Sequence, residues 1–149
     1  MLSRLPFAAL ALFVAGVFLV PGAAPAQEKG AKVLAKGAIH NADKTGSGTA
    51  TIYQLADGKR VLRLTNFSVE NGPDLHVRLI AADDAKDTAS VAKTDYVELA
   101  KLKGNKGNQN YELPEKVDLD KYRVVSIWCN RFSVNFAAAP LTAVKENTP

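Results

Sequence analysis

The chain is poor in the residues that most often carry chemistry. Its 149 residues include one cysteine, one methionine, one tryptophan and two histidines. A single cysteine, Cys129, makes no internal disulfide, so the fold must hold without covalent staples. The thiol is then a buried structural group, half of an intermolecular bridge, or a reactive centre. The only methionine is Met1, which excludes a Met/His-ligated haem from any processed chain. There is no C-x-x-C-H haem attachment, no G-x-S-x-G, no H-E-x-x-H and no glycine-rich phosphate loop between a strand and a helix. Apolar residues nowhere keep a 3.6-residue period over a long window, which argues against a helical domain. Charge of one sign is also scarce. The net charge is +4 and the lysines are spread along the chain, so nucleic acid is not an expected partner.

What is present begins with an export pattern. Arg4 is followed by an unbroken apolar run from Phe7 to Val20, then Pro21-Gly22 and the small-residue site Ala24-Pro25-Ala26. This reads as a cleaved signal peptide over residues 1–26, and so as a periplasmic or secreted protein. The apolar run is too short for a comfortable membrane span. No cysteine follows it, so no lipoprotein anchor is expected. Residues 27–36 read as a polar leader running into the first strand, 37–141 as one domain and 142–149 as a tail.

The domain is punctuated like an all-β protein. Extended segments are expected at Val33–His40, Thr49–Leu55, Arg60–Phe67, Asp74–Ile80, Tyr96–Leu102 and Gln109–Leu113. Gly, Pro, Asn and Asp separate them, and Asp57-Gly58 is a hairpin signal. Gly37 inside the first segment suggests a bulge or a close backbone approach. Ala81–Thr94 is a polar, alanine-rich loop, and Gly104/Gly107 mark a hairpin. The fold class is therefore an antiparallel β-sandwich of about eight strands.

Tyr122–Leu141 is the most apolar stretch after the N-terminus. Val124–Cys129 reads as a strand buried on both faces. Phe132, Val134 and Phe136 alternate with Ser133 and Asn135, as in a strand with one polar face, and Asn130-Arg131 is a turn or bulge between the two. Cys129 thus ends a buried strand beside a polar break. Trp128, Phe132 and Phe136 read first as core.

Cys129, His40, His76 and Asp74 are the residues with metal-ligand chemistry, but no two stand at a spacing that specifies a metal. A haem or metal held through Cys129 stays open, as does a thiol with only a packing role. Arg131, two residues on, is a source of positive charge that would favour a thiolate.

Several blocks resemble a known family. They are Gly37–His40, Ser47–Ala50, Leu62–Leu64 with Asn66-Phe67, Asn71–Leu75, Leu102–Asn105 with Gly107, Gln109–Tyr111, and Val125–Cys129 with Phe132–Val134 and Phe136. In this order they resemble the DM-thirteen domain, a secreted β-sandwich described as an electron-transfer module and related to the DOMON cytochrome-like domains. The chain departs from the pattern at Gly37-Ala38-Ile39, where the family more often has an aromatic or other large residue after the glycine. The resemblance implies a redox role centred on Cys129, electron transfer rather than substrate turnover, and a redox or surface protein as partner. Trp128 and Phe132 would shield the thiol, and His40, Asp74, His76, Lys103 and Arg131 would be its polar surroundings. The alternative is a monomeric binding or adhesion module that presents its loops, with a structural cysteine. A dimer bridged through Cys129 would need an exposed sulfur.

Overall fold

The computed structural model describes residues 30–146. The expected signal peptide, residues 1–26, and the first residues of the leader lie outside them. Among the described residues every regular element is a strand. They are β1 (Lys32–Asn41), β2 (Gly46–Gln54), β3 (Arg60–Val69), β4 (Leu75–Ile80), β5 (Tyr96–Lys101), β6 (Gln109–Glu112), β7 (Val124–Cys129), β8 (Val134–Pro140) and β9 (Thr142–Ala143). The order across the sheet is β5-β4-β7-β8-β1-β2-β3-β6, with β9 added to β1, and all pairings are antiparallel. The eight expected strands are present, and β9 is a short addition.

β1 belongs to both layers of the sandwich. Its first part pairs with β2, and its last two residues, His40 and Asn41, pair with Ala138 and Ala137 of β8. Gly37 makes that passage possible. A Cβ there would stand 1.9 Å from the Pro140 carbonyl oxygen, so this is the close backbone approach expected of a strand glycine. Apolar side chains at period two from β2, β3, β4, β7 and β8 fill the space between the layers. Ala50, Ile52, Leu62, Leu64, Val77 and Leu79 have no exposed surface.

A second, smaller core lies on the outer face of the β4-β7-β8 layer. The segment after β4, residues 81–95, folds back over that face. Ala85 and Val91 pack there against Ile80, Val124 and Ala138, with Trp128 at the margin. Asn135, fully buried, ties this strap down: Ser126 Oγ donates to its Oδ1 (2.8 Å) and its Nδ2 donates to the Ala85 carbonyl (3.2 Å). The Asn135 amide donates to Thr88 Oγ1 at 2.8 Å.

This cover reverses one expectation. Residues 132–136 were expected to bury Phe132 and expose Asn135. Instead Asn135 is enclosed and Phe132 is 61% exposed. The turn after β7 runs through Ser133, whose φ is +52°, so the strand starts two residues late and Phe132 sits at the tip of the turn. β7 itself is buried on both faces as expected, because the strap covers the side that would otherwise meet water.

Candidate functional site

Cys129 is the last residue of β7, paired with Leu75 of β4 and Val134 of β8. Its side chain has no exposed surface and lies in the main core with Leu75, Ile127 and Phe136. Cross-strand partners share a face and neighbours along a strand alternate. Leu75 and Cys129 therefore face inward, while Asp74, His76 and Trp128 face outward. His40, next to the inward Ile39 and opposite the outward Ala138, is also on the outer side. Arg131 is exposed in the turn. Lys103 is bound to β6, where its amide donates to Tyr111 Oη at 2.9 Å and its ammonium lies 5.0 Å from that ring.

None of the expected polar partners is thus placed at the thiol. Neither expected shield covers it: Trp128 is on the opposite face of β7 and Phe132 is at the turn tip. The thiol's setting does not fit a haem or a metal. It is closed off by apolar side chains, both histidines lie on the far side of the sheet, and no group of three metal-ligating side chains occurs among the described residues. A sulfur with no exposed surface also leaves no place for an intermolecular disulfide.

The expected residues meet in two clusters on the outer face. In the first, Arg78 lies between two aromatic rings, with its guanidinium carbon 4.0 Å from the centre of Tyr96 and 5.0 Å from that of Trp128. Its Nη2 donates to Asn130 Oδ1 at 2.6 Å. His76, buried beside it, has Asp74 Oδ1 2.8 Å from Nε2 and Glu98 Oε1 2.9 Å from Nδ1. Neither His76 Nδ1 nor Arg78 Nε, which is 3.6 Å from Glu98, makes a hydrogen bond to that carboxylate, so both buried nitrogens lack a hydrogen-bonded acceptor. The cluster runs inward from Tyr96, which is 52% exposed, through Arg78 to Trp128, and by one peptide bond to Cys129. Beside it, Gly72, Asp74, Leu75, Lys101 and Asn105 line a cleft of about 190 Å³. That is smaller than the roughly 300 Å³ at which small-molecule sites begin.

In the second cluster, His40 Nδ1 is 2.7 Å from the Asn41 carbonyl and Nε2 is 2.7 Å from Asp84 Oδ1. Both partners are acceptors, so the ring satisfies them together only as an imidazolium. Burial works against that charge, but the Asn41 carbonyl and the Asp84 carboxylate outweigh it and raise the pKa of His40, with Lys86 opposing. Asp84 is likewise held below its ordinary value: burial opposes, and the bonds from His40 and the Ala85 amide prevail. The His40 share of the stability is fully present below the ordinary histidine value and is lost as pH rises through the raised one. The Asp84 share is present above the ordinary carboxylate value and is lost as pH falls through the lowered one. Asp84→Asn should therefore cost most between about pH 4 and about pH 6.5. The penalty should stay under about 1 kcal/mol, since both side chains are a third exposed. Urea midpoints of both proteins across that range check it. A penalty that keeps growing above neutral pH would contradict the assignment.

Sequence reasoning missed Tyr96, Glu98, Asp84 and Asn135. Arg78 was missed as well, although its alternation with Asp74 and His76 along one strand is a signal that could have found it. Glu98 is brought to it only by the pairing of β5 with β4, which leaves no local mark in the sequence.

The chain matches the family described as electron transfer DM13 over residues 38–141. No curated protein and no solved structure matches it. With an all-β antiparallel fold and a match spanning β1 to the end of β8, the chain belongs to the electron transfer DM13 family.

Proposed function

We propose that this protein is an exported electron-transfer module in which Cys129 is the redox group and Trp128 connects it to the surface. One observation carries the reading: the enclosed thiol is joined by a single peptide bond to an indole that stacks, through Arg78, toward exposed Tyr96. Burial removes thiol–disulfide exchange, which requires a thiolate to reach the sulfur. It does not hinder one-electron chemistry, because an electron passes through the chain without a reagent touching the sulfur.

In this scheme a one-electron oxidant at the surface takes an electron from Trp128. Cys129 then returns one to the indole and becomes a thiyl radical. Its proton passes to solvent when the end of β7 opens, since the enclosed sulfur lies among apolar side chains. The net change is loss of one electron and one proton from the thiol, and the oxidant gains the electron. Export, suggested by residues 1–26, places this in an oxidising compartment. The test is flash oxidation of the native protein, following the lifetime of the tryptophan radical with and without the thiol.

Exposed Phe132 favours a second reading, a binding module that presents the turn between β7 and β8 while Cys129 only packs. Cys129→Ala separates the two. Under the second reading it leaves radical lifetimes unchanged.

A further inference from the structure

We propose that Arg78 sets the redox potential of Trp128: its guanidinium charge, held on the indole face, makes Trp128 a reluctant donor to an oxidant and a strong acceptor for the electron of Cys129. The inference rests on the electron-transfer reading above and adds what regulates its relay. Arg78 acts through Trp128 and is a positioning residue.

The charge is permanent and its place is fixed. An arginine stays protonated in a protein. The Arg78 side chain is 12% exposed. Its guanidinium carbon is 4.0 Å from the centre of the Tyr96 ring and 5.0 Å from that of Trp128, and Asn130 Oδ1 accepts from its Nη2. The strand register explains the placement. Arg78 stands opposite Glu98 of β5 and Ser126 of β7, while Trp128 stands opposite His76, the preceding outward residue of β4. Arg78 and Trp128 are thus diagonal neighbours on one face, within reach of long and aromatic side chains.

The effect of that cation depends on the charge of the ring. A neutral indole presents a negative face and attracts it. An indole that has lost an electron is positive and repels it. At 5.0 Å and an effective dielectric constant of about 20, the repulsion shifts an equilibrium by more than about a hundredfold. Glu98 offsets part of this. Its carboxylate is 3.6 Å from Arg78 Nε and 41% exposed, and makes no hydrogen bond to that nitrogen. Asp74 lies against His76 Nε2 at 2.8 Å.

Arg78 therefore acts on the two half-steps in opposite senses. Loss of an electron from Trp128 becomes harder: the oxidant gains one electron, the indole becomes a radical cation, and no bond breaks. Return of an electron from Cys129 becomes easier. The thiol lies on the inner face of β7, and its oxidised form, having lost a proton, carries no charge for Arg78 to repel.

The experiment first reads Trp128 alone, in Cys129→Ala protein. The flash-generated oxidants are tris(bipyridine) ruthenium complexes of one charge, graded in oxidising strength by ring substituents. Rates are taken at about 0.5 M salt, where the Debye length is roughly 4 Å and net charge steers encounter little. With the weakest oxidant that still reacts, Arg78→Gln should speed Trp128 oxidation at least about tenfold. Arg78→Lys keeps the charge and should recover part of the original rate. Glu98→Gln should slow oxidation at least about twofold, because the cation loses its partial partner. Arg63→Gln removes the same charge from β3, where Arg63 donates to Asn110, and should change nothing. Near-UV circular dichroism verifies that each variant is folded.

The opposite signs exclude a role confined to packing. A loosened cluster would expose Trp128 and speed its oxidation in both the Arg78 and the Glu98 variants. Acceleration in both, or no change in either, overturns the assignment. Should Arg78→Gln fail to fold, Glu98→Gln decides alone by its sign. The thiol-containing proteins then separate this inference from the reading beneath it. There the Trp128 radical should last several times longer in Arg78→Gln than in wild type. If the rates shift as stated but radical lifetimes are the same with and without the thiol, the electron-transfer reading fails and the control of Trp128 by Arg78 stands.

Discussion

Native protein treated with a small alkylating reagent at neutral pH should label Cys129 at least about a thousandfold more slowly than the same chain unfolded in urea. The factor follows from burial. The sulfur has no exposed surface and sits among core side chains from both layers, so the reagent waits for an opening. An opening that exposes the end of β7 must part β7 from both β4 and β8, since Cys129 pairs with Leu75 on one side and Val134 on the other. If that costs about 4 kcal/mol, below the usual 5–15 kcal/mol of global stability, a thousandfold protection results. The rate should rise with urea along the unfolding curve. Fast labelling of the folded protein would show that this end of the sandwich opens readily, and thiol exchange would return as a mechanism.

Gly37→Ala should be strongly destabilising although it adds only a methyl within a strand. The new Cβ would lie 1.9 Å from the Pro140 oxygen and 2.8 Å from its carbonyl carbon. Both are backbone atoms, and Pro140 is held by the pairing of β8 with β7. No side-chain rotation relieves the clash, so β1 must move away from β8. The pairing of His40 and Asn41 with β8, which closes one layer of the sandwich onto the other, then weakens. We expect a loss of about 3 kcal/mol or more, at the upper end of overpacking costs, and a fall in Tm of roughly 10 °C. Gly104→Ala is the control. Its Cβ would find only the Lys106 carbonyl at 3.7 Å, an ordinary contact, so its unfolding midpoint should stay close to wild type. A Gly37→Ala protein as stable as that control would contradict the account of how the two layers join.

These two residues also show what the sequence disclosed. Gly37 interrupts an otherwise regular strand pattern, and a glycine there has few explanations other than a bulge or a close approach. The all-β class, the eight main strands and both buried faces of β7 were legible for the same reason: period two and turn residues are local signals. Phe132 and Asn135 were misjudged because their exposure is not decided locally. Alternation placed one inside and the other outside, but the strap from 81–95 covers the outer face and the turn extends through Ser133. The surroundings of Cys129 were illegible for a related reason. Asp74 and His76 sit near it in strand pairing yet across the sheet from it, and only the register, Leu75 opposite Cys129, separates the two faces. The contacts of Arg78 with Tyr96 and Trp128 likewise join three strands.

Burial also changes what a redox role for Cys129 can mean. With neither a thiolate-stabilising cation on its face nor access for a second thiol, the residue fits neither an exchange catalyst nor a cofactor ligand. Movement of single electrons through Trp128 is compatible with the enclosed sulfur, and it assigns Cys129 a task that a serine cannot perform.

The most direct measurement is the lifetime of the Trp128 radical after flash oxidation, in wild type and in Cys129→Ala, with Trp128→Phe to identify the signal. If Cys129 refills the indole, the radical should decay several times faster in wild type than in the alanine variant, at matched stability and radical yield. Equal lifetimes in the two folded proteins would show that the thiol donates nothing to Trp128, and the assignment of Cys129 as the redox group would be wrong.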